Sequence, residues 1–102
     1  RLACLVGMVM TGGTWRLVWY VCRYDGVEIM GSEGYFINQF LVEHTNHRKD
    51  EWGGSYENRM RLPVEIVKAV RRAVGDDFII VYRLSMLDLV PSGSDWKEIV
   101  QV

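Results

Sequence analysis

Two short apolar runs separated by a long amphipathic stretch constrain this chain more than any other feature. The first covers residues 26–30 (GVEIM) and the second residues 78–83 (FIIVYR). Each has the length of a strand and turn residues at its edge: Asp25-Gly26 and Gly31 around the first, Gly75-Asp76-Asp77 before the second. Alternation puts Val27 and Ile29 on one face and Glu28 and Met30 on the other, while Arg83 shares a face with Ile79 and Val81. Between the runs, residues 55–74 carry apolar side chains at helical spacing, with Ile66, Val67, Val70 and Val74 as the buried stripe. Ser55 is a good N-cap with Glu57 in the first turn, and Gly75 reads as an αL terminator. Pro63 lacks an amide hydrogen and predicts a kink or split near the helix start. A strand, a helix and a strand in this order predict a parallel pair joined by a right-handed crossover.

The remaining elements are shorter. Residues 35–41 read as one or two helical turns with Phe36, Ile37, Phe40 and Leu41 as the apolar set. Residues 42–56 form a polar loop. Pro91-Ser92-Gly93-Ser94 is a turn, after which Ser94 or Asp95 caps a last helix. Arg71 and Arg72 read as a solvated helix face. Two parallel strands leave their edges and faces uncovered, so the unit is not expected to be stable alone. The chain starts at Arg1 and stops at Val102 inside that last helix, and is read as a piece of a larger protein.

Composition removes several function classes. With 49% hydrophobic residues and a formal charge of −1, the chain is neither disordered by composition nor equipped electrostatically for nucleic acid. Cys4 and Cys22 are not a CxxC pair and read as buried thiols. His44 and His47 stand three apart without a third placed ligand, which is too little for a metal, so no metal is expected. Residues 2–22 are strongly apolar but interrupted by Gly12-Gly13 and by Arg16, whose insertion in a bilayer centre costs about 2.5–3.5 kcal/mol. Neither a membrane span nor a signal peptide is expected, and a cytoplasmic location is. Residues 1–23 are read as an atypical segment not native to the fold of residues 24–102.

In a parallel α/β barrel, chemistry collects at the carboxyl ends of the strands. Glu33 and Tyr35 lie just past the first strand and Arg83 closes the second, so all three belong to one rim. By residue type, Tyr35 is either a proton donor or an aromatic that anchors a helix start. Glu33 is either a functional or a solvated carboxylate. Arg83 needs a partner, either Glu28 in an ion pair or an anionic ligand. Two other classes remain open at this level. One is a glycosidase using Glu28 and Glu33 as acid and base, the other a non-catalytic membrane-attached domain built on the first 22 residues.

The motifs narrow the choice. They are GSEGY at residues 31–35, N-x-R-x-D at 46–50, G-G-S-x-x-N-R-x-R at 53–61 and YRLSMLDLV at 82–90. In this order they resemble the old yellow enzyme family of FMN-dependent NADH:flavin oxidoreductases, and most closely its 2,4-dienoyl-CoA reductase branch, over residues 24–102. The resemblance implies an α/β fragment of a (β/α)8 TIM barrel: two parallel strands with an intervening helix and a long loop, from a fold of about 250 residues. It implies FMN as cofactor, NAD(P)H as electron donor and a small-molecule enoyl or dienoyl thioester as substrate. An iron–sulfur cluster and FAD belong to some longer relatives and are not encoded here. Tyr35 is implied as proton donor, Glu33 as its catalytic companion and Arg83 as the cation at the N1/O2 edge of the flavin. Arg48, Asp50, Asn58, Arg59 and Arg61 are implied to hold the long loop. The wider family has His at the position of Met30 and Asn or His at that of Glu33. That departure argues against simple enone reduction and for the dienoyl-CoA branch. The family's amphipathic helix before the first strand has no counterpart in residues 1–23, which show no polar face.

Overall fold

A computed structural model describes residues 24–102 and, within the first 23, the backbone of three short strands. These are β1 (Leu2–Cys4), β2 (Val9–Thr11) and β3 (Thr14–Arg16), followed by β4 (Gly26–Gly31), α1 (Phe36–Leu41), α2 (Tyr56–Arg59), α3 (Arg61–Val74), β5 (Ile79–Leu84) and α4 (Trp96–Ile99). Cys22, and most of the apolar stretch read at residues 2–22, lie outside the described residues.

β4 and β5 run parallel as expected, with Val27 opposite Ile80 and Ile29 opposite Tyr82. β1 adds a third parallel strand on the other side of β4, Ala3 opposite Val27, and β2 and β3 form a separate antiparallel hairpin. Within residues 1–23 the described backbone is strand.

One face of the β4–β5 pair is buried beneath α3. Val27, Ile29, Ile66 and Val70 form the core, with Leu62, Val67, Val74, Phe78, Ile80 and Tyr82 packed against it. The predicted α3 stripe is therefore the one that is buried. β5 lies one residue later than the pattern suggested, at Ile79–Leu84. α1 buries Asn38 and Leu41 and leaves Phe36 exposed against Phe40, ring centroids 5.3 Å apart, so the predicted apolar set is only partly inward.

The helix expected over residues 55–74 is two helices that meet at Met60. Pro63 has no N–H to give the carbonyl of Arg59, so the hydrogen-bond ladder is interrupted ahead of the proline. It resumes with Val64 N–H donating to the Met60 carbonyl at 3.2 Å. Pro63 therefore sits in the first turn of α3, where amide hydrogens have no helical acceptor in any case. Gly75 ends α3 at φ 78° and ψ −176°, a backbone region open to glycine and distinct from the expected αL. Arg71 closes this end of the helix: its Nη1 donates to the carbonyls of Gly75, Asp76 and Phe78 at 2.7, 3.2 and 2.8 Å. It is a clamp rather than the solvated residue expected.

Candidate active-site rim

The carboxyl ends of β4 and β5 lie side by side. Glu33 and Arg83 meet there, and Tyr35 follows two residues after Glu33. β4 ends at Gly31, where the close approach of Tyr82 favours glycine: a Cβ at that position would lie 2.1 Å from the Tyr82 hydroxyl on the neighbouring strand. The chain then turns through Glu33 at φ 62° and Gly34 at φ 73°. A non-glycine residue in the left-handed region costs on the order of 1–3 kcal/mol and persists only where its surroundings impose it.

Here they do. Glu33 N–H donates to Ser85 Oγ at 3.2 Å, Gly34 N–H to Asn38 Oδ1 at 2.7 Å, and Gln39 Nε2 to the Gly34 carbonyl at 2.7 Å. Tyr35 N–H donates to the Ser32 carbonyl at 3.3 Å. Ser85 and Asn38 were not singled out from the sequence. Ser85 had one signal, its place directly after the strand in YRLS. The Asn38 bond spans four residues and resembles any helical neighbour contact until the turn is seen.

This turn presents Glu33 and Tyr35 outward. Tyr35 occupies the N-cap position of α1 and is 60% exposed, so its ring does not serve to pack the helix start. Its carbonyl accepts the Gln39 N–H at 3.0 Å, and its side chain is not among those packed in the core.

Arg83 rises from β5 on the face opposite the core. Its Nη2 lies 3.0 Å from Glu28 Oε1 on β4, and its Nη1 lies 3.4 Å from Glu33 Oε1 in the turn. The Glu28 carboxylate, and after it Glu33, hold the guanidinium above its ordinary value, so it is a permanent cation. Ile79 and Val81 share this face and are exposed.

The signature loop is built behind the rim. Asn46 Nδ2 donates to the carbonyls of Phe40 and Trp52 at 2.7 and 2.8 Å. Arg48 pairs with Asp50, Asn58 donates to the Gly53 carbonyl at 3.1 Å, and Arg61 donates to Asn58 at 3.2 Å. A Cβ on Gly53 would strike the Arg48 carbonyl at 2.4 Å, so glycine alone allows the loop to fold on itself. Arg59, 3% exposed, reaches Glu98 of α4 at 2.5 Å. These contacts hold one loop against its neighbours, the structural task expected of the motif. Among the described residues no three His, Cys, Asp or Glu side chains gather as a metal site would require, and no helix is long and apolar enough to cross a membrane.

A profile of the NADH:flavin oxidoreductase / NADH oxidase family matches residues 18–102. The chain belongs to this family. An NADH oxidase of Thermoanaerobacter brockii is 43% identical over 79 residues, covering 78% of this chain and 12% of that enzyme. A cinnamate reductase of Clostridium sporogenes is 42% identical over 74 residues, 72% of this chain and 11% of the enzyme. Among solved structures, a 2-naphthoyl-CoA reductase in complex with 2-naphthoyl-CoA superposes with a TM-score of 0.74 at 45% identity, covering 76% of this chain and 12% of that one. The chain thus spans about an eighth of the length of these relatives, one sector of a barrel. A family of flavin oxidoreductases sets aside the glycosidase reading of Glu28 and Glu33.

The rim suits a flavin in the chemistry it offers. Ile79 and Val81 form an exposed apolar wall, and the wall ends in the permanent cation of Arg83 at the carboxyl end of its strand. A flat aromatic ring with an edge that gains negative charge matches that pairing of surface and charge.

Proposed function

We propose that the full-length protein is an FMN-dependent, NAD(P)H-driven reductase of carbon–carbon double bonds conjugated to a thioester, acting on enoyl-CoA or 2,4-dienoyl-CoA substrates in the cytoplasm. The observation that supports this reading is Arg83 paired with Glu28 and Glu33 beyond the parallel strands, with an exposed Tyr35 in the turn that carries Glu33. The similarity to a reductase crystallised with 2-naphthoyl-CoA supports the thioester class. Met30 supports it as well: its sulfur accepts the Ser32 hydroxyl at 3.3 Å and offers no proton to a substrate carbonyl.

Bound FMN would supply the hydride that adds to the electron-poor carbon of the activated double bond. Arg83 would hold the N1/O2 edge of the ring and balance the negative charge that gathers there. Tyr35 holds a proton at its hydroxyl oxygen and delivers it to the substrate carbon left with the extra electron pair. The Ser85 and Asn38 bonds hold the backbone of the turn that carries Tyr35, which limits how far the phenol can wander. General-acid help of this kind is worth about 10²–10⁴-fold.

The test separates the two half-reactions by stopped-flow spectroscopy. Tyr35→Phe is expected to leave flavin reduction by the nicotinamide donor nearly unchanged, because that step needs no proton on the substrate. Reoxidation by dienoyl-CoA is expected to slow by at least about tenfold. Equal slowing of both halves would mean that Tyr35 supports the site only by packing. No slowing of either would place the proton donor elsewhere.

A further inference from the structure

Two carboxylates share one guanidinium on the rim, and they hold it differently. Glu28 stands on β4, within the sheet, and offers both oxygens to Arg83 Nη2, at 3.0 and 3.2 Å. Its side chain is 24% exposed. Glu33 stands in the turn, 58% exposed, and reaches Nη1 at 3.4 Å through a single oxygen. An exposed ion pair of that length contributes little and is easily exchanged for another partner. The pair with Glu28 is set by strand register, since Met30 is opposite Arg83 and Glu28 lies two residues before it on the same face.

The charges matter as much as the geometry. Two carboxylates and one guanidinium sum to a negative cluster, which is poorly suited to receive an anionic ring edge. Withdrawing Glu33 opens Nη1 and leaves a neutral Glu28–Arg83 pair. Resting on the flavin reading above, we infer that Glu28 is a positioning residue that anchors Arg83 and tunes the flavin reduction potential through it, while Glu33 is the carboxylate displaced from Arg83 when the ring is seated. Glu28 stays in place and cancels part of the field that Arg83 exerts on the ring, which keeps the bound cofactor a stronger reductant.

Potentiometry of the full-length holoenzyme tests this. Glu28→Gln keeps a hydrogen-bond acceptor beside Arg83 and removes the charge. The bound flavin should then favour its reduced form at least about tenfold more, a positive shift of about 30 mV for a two-electron couple. Glu28→Asp draws the charge back and should give a smaller shift of the same sign, which provides a second reading if the Gln variant does not assemble. Glu33→Gln should shift the potential less than Glu28→Gln. In an Arg83→Ala background, Glu28→Gln should give a shift that differs from the wild-type one, because Glu28 and Arg83 act on the ring as one coupled pair. An unchanged potential in both Glu28 variants overturns the inference. So does an equal shift without Arg83, or a larger one from Glu33→Gln. A wild-type protein that binds no flavin would instead overturn the functional reading on which the inference rests.

Discussion

The two faces of the β4–β5 pair are made by the same twelve residues and could hardly differ more. On one, Val27 and Ile29 are 1% exposed beneath a Val70 that is wholly buried. On the other, Ile79 is 54% exposed, Val81 38%, and the charged groups of Glu28 and Arg83 stand beside them. The first face is finished within this chain, because α3 follows β4 and returns over it. The second faces what would be the barrel interior, which other strands and the cofactor would fill. The difference teaches that stability and chemistry are separated across a single layer: the helix side holds the strands, and the open side carries the groups that could act.

The largest test of that contrast is truncation on the buried side. Ile29→Ala in the full-length protein is expected to cost about 2–5 kcal/mol in chemical denaturation, the range for emptying a packed core position. Val81→Ala, on the face the cofactor would cover, is expected to cost under about 1 kcal/mol when the full-length protein is measured free of flavin. An equal cost would show that the open face is also core in the whole protein, and would break the contrast.

Gly31→Ala tests where the two faces join. The new methyl would lie 2.1 Å from the Tyr82 hydroxyl, so the strand or the ring must shift. A loss of about 1–3 kcal/mol is expected, read as a lowered melting temperature, together with weaker substrate turnover as the Glu33 turn moves. A variant with wild-type stability would mean that Tyr82 has room to swing aside.

A smaller effect comes from the buried hydroxyls behind the sheet. Burial, and after it the charge of Glu98, push Tyr56 up to about 12, and burial raises Tyr82 as well. The folded protein thus favours the neutral phenol of Tyr56 more than the unfolded chain does. The stability this group contributes is fully present below its unfolded value of about 10. It is lost as pH rises toward about 12. Denaturant midpoints measured across that window should fall more steeply for the wild type than for Tyr56→Phe. Parallel slopes would mean that the hydroxyl is solvated.

The smallest effect expected is none. Titration of this chain alone with FMN should give little fluorescence quenching, because one rim sector cannot supply contacts that converge from several strands. Stoichiometric binding at micromolar concentration would mean that the open face is a complete site.

Much of this was legible in the residues. The strands at 26–30 and 78–83 were set by apolar alternation, and the α3 stripe of Ile66, Val67, Val70 and Val74 by its period. The rim placement of Glu33, Tyr35 and Arg83 followed from strand direction alone. What was missed lies in contacts distant along the chain or dependent on backbone geometry. Ser85 bonds Glu33 across 52 residues. Gly31 is required by Tyr82 on another strand, which no local pattern reveals. The split that Pro63 predicted near the helix start fell at Met60, because the missing N–H acts on a carbonyl one turn earlier.

By itself the sequence determined the succession of strand, helix and strand from β4 to β5, the inward faces of β4 and α3, and the family, because hydrophobic period, turn residues and motif spacing are local properties of the chain. Only the tertiary structure decided which of two carboxylates holds Arg83 firmly. Strand alternation had already offered Glu28 as a partner for Arg83, but not that Glu33 joins it more loosely. The two differ in where they stand, one on a strand locked in register and one in an exposed turn. Strength of pairing depends on that difference in rigidity and solvent, which exists only after the chain has folded.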